Sequence, residues 1–179
     1  MSDITTKRGD GGFSSLYSGE RALKSDAVFE TLGTLDELNS WLGVVKLKLQ
    51  ADYDRLQVES IQRNIFKVAS NVATTDDSKL RQKMILLAQS DMVALEAFEE
   101  KLFTEVAMPT TFIIPGVTED AALIDVARTV CRSAERRLVA LLSGGLQRIS
   151  LEVKYVNRLS DVLYVLARQC EKGKYKEKQ

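Results

Sequence analysis

The sequence predicts an all-α chain folded as an antiparallel five-helix bundle, an up-and-down arrangement of the ferritin-like kind. Two observations carry this. Apolar residues recur at steps of three and four through five stretches of about 18–25 residues each, a length and period that suit bundle helices. Helix-breaking residues are scarce, with 10 glycines and 2 prolines in 179 residues. Hydrophobic residues make up 45% and charged residues 28%, so the chain has the apolar material for one core and lacks a disordered composition.

The elements follow in order. Residues 1–25 differ from the rest: TTKRGDGGFSSLYSG is rich in glycine and hydroxyls and reads as a polar loop, mobile until a ligand orders it. The first helix is marked by Val28, Leu32, Leu35, Leu38, Leu42, Val45 and Leu49, with Trp41 off that stripe and suited to a subunit contact. The second, over 54–73, carries Leu56, Ile61, Ile65, Val68 and Val72. The run Met84 to Leu87 fits neither helix nor strand decisively. Ser90 is the expected N-cap of a third helix with Met92, Leu95, Phe98, Leu102 and Val106. Pro109 and Pro115 bracket an extended connector, short and apolar enough to lie against the bundle. Thr118 caps a fourth helix, which Gly144-Gly145 ends. The fifth runs from about Ser150 to Cys170. The expected organisation is therefore a loop at 1–25, a helical domain at 26–171 and a lysine-rich tail at 172–179.

Composition narrows the chemistry. Lys plus Arg and Asp plus Glu both number 25, so the formal charge is zero and nucleic acid is not the expected partner. The chain has no histidine, which excludes Ser-His-Asp and Cys-His catalysis and imidazole-bound metals. No metal-ligating residues stand out. Cys131 and Cys170 lie far apart, in apolar helical patterns, and read as buried reduced thiols. No apolar leader or membrane span is visible, so the expected location is cytoplasmic, with no membrane partner.

Helical angles then place the charges. On the fourth helix the expected apolar stripe is Leu123, Ala127, Val130, Ala134, Leu138 and Leu141. Arg128, Arg132 and Arg136, with Glu135, share one flank. On the fifth, Leu159, Val162, Leu163, Leu166 and Cys170 face the core, and Asn157, Asp161, Tyr164 and Arg168 form a polar stripe that suits solvated surface. An arginine flank is most often a salt-bridged surface, and a glycine-rich turn by itself says little; no GKS or GKT follows it. Together, a Gly/Ser/Thr loop bearing lysines and a dense arginine flank suit a polyphosphate, which backbone N–H groups and guanidinium forks both bind. Phe112, between the two prolines, is either a core anchor or a ring offered to a ligand.

The strings TKRGDGGFSSLYSGERALKSD, FETLGTLDELNSWLG, FIIPG, ARTVCRSAERR and YVNRLSDVLYVLAR, in this order over residues 5–168, resemble the trimeric helix-bundle ATP:cob(I)alamin adenosyltransferases. The resemblance implies transfer of the 5′-deoxyadenosyl group of ATP to cobalt, with Mg²⁺ accompanying the nucleotide and triphosphate released. It implies a homotrimer with sites between subunits, and, as further partners, a reductase and an adenosylcobalamin-dependent enzyme. Thr6, Lys7, Arg8, Gly9, Ser14 and Ser15 match the loop that closes over ATP. Lys24 matches a phosphate-reaching lysine, and Arg132, Glu135, Arg136 and Asn157 match nucleotide contacts. Arg128 matches a catalytic arginine, Asp36 its carboxylate partner across a subunit boundary, and Phe112 an aromatic of the cobalamin pocket. Four positions depart from the family pattern: Arg8 replaces a usual Thr, Val117 a Gly or Ser, Asp125 a His, and Ser133 a second arginine. A relative that binds ATP or adenosylcobalamin without turnover, as carrier or regulator, is the alternative these departures suggest.

Overall fold

The structure is a computed structural model that describes residues 7–174, 176 and 177. Five helices form the expected bundle: α1 (Ala27–Lys48), α2 (Asp52–Val72), α3 (Gln89–Glu105), α4 (Glu119–Ser143) and α5 (Ser150–Glu171). Helix α4 packs against α5 and α1, α1 against α2, and α5 against α3. The core between them is apolar and continuous. Leu35, Leu38, Leu42 and Val45 of α1 meet Val58, Ile61, Ile65 and Val68 of α2, Phe98 and Leu102 of α3, and Leu159, Val162, Leu163 and Leu166 of α5. The buried positions of α4 are mostly small, Ala127, Cys131 and Ala134, which lets α4 sit close to both neighbours.

Several expected details shift. Leu56 is exposed because it lies five residues before Ile61, about 140° round the helix; Val58 takes its place. The α4 stripe is centred on Ile124 and Cys131, leaving Leu123, Val130 and Leu141 only half-buried. Trp41 is half-buried and packs against the core. Helix α3 starts one residue before Ser90, with Ala88 at the N-cap; the Asp91 carboxylate accepts from the Ala88 N–H at 2.9 Å and so does the capping. Thr118 caps α4 as expected, its hydroxyl accepting from the Ala121 N–H at 3.2 Å. Gly144 ends α4, and Gly145, at φ +109°, turns the chain where a side chain would be strained. Met84–Leu87 follows a 3-10 turn at Lys79–Lys83 as irregular chain, with Ile85 exposed and Leu87 buried.

Two short sheets were not expected. β1 (Phe13–Ser15) and β2 (Arg21–Leu23) form an antiparallel hairpin where the sequence suggests only a mobile loop. Its turn is fastened to the end of α2: the N–H groups of Tyr17 and Ser18 donate to the Ala73 carbonyl, and the Thr75 N–H donates to Ser18 Oγ. The second sheet pairs β3 (Ile113–Ile114), inside the connector, with β4 (Lys176–Glu177). The segment expected as a separate tail thus returns to the connector, reversing at Lys172 and Gly173, both at positive φ.

Candidate active site

The site has three parts, and α4 touches two of them. The first is the N-terminal hairpin. Thr6 lies outside the described residues. Lys7, Arg8, Gly9, Ser14, Ser15 and Lys24 are all brought onto this one unit. Two turn bonds close its start, from the Asp10 N–H to the Lys7 carbonyl and from the Gly12 N–H to the Gly9 carbonyl. The Lys24 N–H then donates to the Gly12 carbonyl at 2.9 Å. The Lys24 side chain lies against Gly9, where an added Cβ would stand 2.9 Å from Nζ. Lys7, Arg8, Ser15 and Lys24 are exposed. The hairpin and the glycine turn that leads into it thus carry two lysines, an arginine and two serine hydroxyls, a composition that suits a polyanion.

The second part is the flank of α4. Arg132 and Arg136 are exposed, and Glu135 accepts from Asn157 Nδ2 of α5 at 2.7 Å. This bond spans α4 and α5 and fixes two of the expected nucleotide contacts relative to each other. Ser133, at a position of departure, is used: its hydroxyl accepts from Arg136 Nη2 at 2.9 Å.

The third part is a cavity of about 460 Å³ beneath the connector. Phe112, Arg128, Tyr164 and Arg168 are among its lining residues. Phe112 is 85% exposed, so it does not anchor the connector in the core. Arg128 stands within a charge cluster. Its Nε donates to Asp125 Oδ1 at 3.1 Å, and Arg168 Nη2 donates to Asp125 Oδ2 at 2.6 Å. Arg168 Nε lies 2.9 Å from Glu171 Oε2. Both guanidinium groups stand over the Tyr164 ring, with their carbons 5.8 and 4.9 Å from its centre.

Arg168 is 1% exposed, which corrects its assignment to a solvated polar stripe. Burial disfavours its charge, but the bond to Asp125 and the charges of Asp125 and Glu171 outweigh that and raise its pKa. Burial also raises the Glu171 carboxyl, against the pull of Arg168. At the two thiols burial dominates. Cys131 is buried and its pKa is pushed up by burial, and Cys170, half-buried, is pushed up to about 11. Neither is poised as a nucleophile.

Asp36 is exposed on α1, and within the chain the carboxylate that meets Arg128 is Asp125 instead. Sequence reasoning missed the Asp125–Arg168–Glu171 cluster. A signal existed: Asp125/Arg128 and Arg168/Glu171 are both opposite charges three residues apart on helices, and Arg168 sits in the apolar run VLYVLARQC.

The family profile described as cobalamin adenosyltransferase matches residues 4–170. The corrinoid adenosyltransferase PduO of Salmonella typhimurium is 38% identical over 92% of this chain, which spans 48% of that protein's length. The corrinoid adenosyltransferase MMAB of Bos taurus is also 38% identical over 92% of this chain and 70% of its own length. Among solved structures, a phenylalanine-to-histidine variant of a PduO-type ATP:corrinoid adenosyltransferase from Lactobacillus reuteri, complexed with cobalamin and ATP, superposes with a TM-score of 0.85 at 30% identity. It covers 97% of this chain and 94% of its own. A 25-residue α4 bearing the arginine flank, an ordered glycine hairpin and a cavity under an exposed phenylalanine are thus features of a chain that belongs to the cobalamin adenosyltransferase family.

Proposed function

We propose that this chain transfers the 5′-deoxyadenosyl group of ATP to the cobalt of cob(I)alamin. One observation carries the reading: α4 contributes to two of the site's three parts, the cavity and the arginine flank. Arg128 lines the cavity under Phe112, and Arg132 follows one turn later on the exposed flank, about 6 Å along the axis. A corrin in the cavity and a triphosphate along the arginines would bring cobalt and the ribose C5′ together at that step.

The reaction asks little of a base. The cobalt lone pair attacks C5′, the Co–C bond forms, and the C5′–O bond breaks with its electron pair leaving on triphosphate. The protein's work is positioning and charge neutralisation. Lys7, Arg8, Ser14, Ser15 and Lys24 hold the phosphates from the hairpin, and Arg132 and Arg136 meet them from α4. Glu135 and Asn157, already bonded, orient the nucleoside. Among the described residues no cluster of three or more Cys, Asp or Glu is arranged to hold a metal ion. Mg²⁺ would arrive on the phosphates of ATP, screening the leaving charge, while the arginines complete the neutralisation.

Phe112 projects from the connector where it can stack beneath a corrin and exclude a lower ligand, which makes Co(II) easier to reduce. Reaching Co(I) needs an electron, so a reductase is the partner this chemistry requires. Asp36, exposed on α1, pairs with Arg128 of a neighbouring copy in a trimer whose sites lie between subunits.

The test is anaerobic mixing of the chain with cob(I)alamin and MgATP. Expected is the visible spectrum of an alkylcobalamin, with one triphosphate released per cobalt alkylated. Bound ATP with persisting cob(I)alamin would overturn the reading and leave a carrier or regulator. Light scattering is the companion measurement: a stable monomer at assay concentration would remove the shared site.

A further inference from the structure

We propose that Asp125, backed by Arg168, is a positioning residue that sets the orientation of Arg128 in the cavity. The proposal rests on the reading of Arg128 as the arginine that acts at the reacting centre. Asp125 is 6% exposed and each of its oxygens accepts from a different arginine, Arg128 Nε at 3.1 Å and Arg168 Nη2 at 2.6 Å. Its bond to Arg128 uses Nε and leaves the two terminal amino groups for a ligand or a partner carboxylate. Arg168 is itself fixed, buried at 1% exposure, paired through Nε with Glu171 and stacked on Tyr164. Rigidity therefore passes from a buried ion pair on α5, through one carboxylate, to a cavity arginine on α4.

Only a carboxylate fits this role. A neutral imidazole has a single acceptor and cannot serve two arginines, and an amide would turn one N–H₂ toward a guanidinium. The departure at position 125 is thus coupled to the chemistry of the site. It also separates two functions of negative charge: Asp125 orients Arg128 from within the chain, and the exposed Asp36 is left for a neighbouring copy.

The experiment compares Asp125→Asn in two backgrounds, wild type and Arg128→Ala, in steady-state turnover with cob(I)alamin saturating and ATP varied. Misplacing a reacting group by about 1 Å costs about 10²-fold. Expected in the wild-type background is a fall in kcat of about 10- to 100-fold, with KM for ATP within about twofold. In Arg128→Ala the same substitution should change the rate less than about twofold, because nothing is left to orient. A wild-type kcat for Asp125→Asn, or an equal fold loss in both backgrounds, overturns the proposal, the latter because it marks a purely structural role. If Asp125→Asn does not fold, Arg168→Lys is read the same way, since it keeps the charge and loses the planar group that bridges Asp125 and Glu171. Full activity in Arg128→Ala would instead overturn the reading of Arg128 itself.

Discussion

The two ends of the proposed site are built by opposite means. At the connector, Arg128, Asp125, Arg168 and Glu171 form a charge cluster whose inner members are buried. At the hairpin, Lys7, Arg8 and Lys24 are exposed and the unit is held by backbone bonds and by hydroxyl contacts of Ser18 and Thr75 with Glu20. A buried cluster keeps its geometry without a ligand but is costly to assemble. An exposed cationic hairpin is inexpensive to form and waits for an anion to compensate its charge. On the proposed reading the corrinoid end is thus preorganised, and the nucleotide end is completed by its ligand.

Substitutions separate the two ends. The largest effect is expected at Arg128. Arg128→Ala should lower the alkylation rate by about 10²–10³-fold, as loss of a transition-state charge partner does. Arg128→Lys should recover part of that. Near-wild-type rates for both would make Arg128 an ordinary surface residue. Arg168→Met should act on folding as well as on rate, leaving Glu171 without its arginine and Asp125 with Arg128 alone, at a cost of about 3–5 kcal/mol. Urea unfolding reads this directly, and an unchanged midpoint would show that the cluster is not structural.

Phe112→Ala should leave stability within about 0.5 kcal/mol, since the ring is 85% exposed and buries little. It should instead abolish the four-coordinate signal of bound cob(II)alamin in electron paramagnetic resonance. A folded variant with that signal intact removes Phe112 from the mechanism. At the hairpin, Lys24→Ala should raise KM for ATP about tenfold, the loss of about 1.4 kcal/mol of phosphate binding, with the melting temperature unchanged. A lowered kcat at constant KM would assign Lys24 to the transition state.

The smallest effect concerns Glu20. Its hydrogen bond with Ser18, then its backbone bond and the bond with Thr75, hold its carboxyl below the usual value. A depressed folded pKa stabilises the docked hairpin above the unfolded value of 4.5 and loses that contribution as pH falls through the folded value. Proteolysis within residues 7–24 should therefore quicken in acid, and Glu20→Gln should flatten the dependence. An unaltered pH profile in that variant would place the acid sensitivity elsewhere.

The same contrast explains what the sequence made legible. The helices could be read because leucines and valines at steps of three and four have one physical use. Thr118 and Gly144-Gly145 could be read because caps and stops are local. The two- and three-residue strands could not, since β3 exists only through pairing with a segment more than 60 residues away. Arg168 was misplaced because helical angle alone puts it with Asn157 and Asp161. Its burial depends on Asp125 of another helix, which periodicity cannot supply. The loop motifs and the α4 arginines are local patterns, whereas the support beneath Arg128 is a tertiary property.

Hydrogen exchange with each ligand alone tests most directly whether α4 divides a nucleotide end from a corrinoid end. MgATP is expected to protect amides in residues 9–24 and to leave 110–117 unchanged. Cobalamin is expected to protect 110–117 and leave the hairpin unchanged. Protection of the connector by MgATP, with none in the hairpin, would contradict the account.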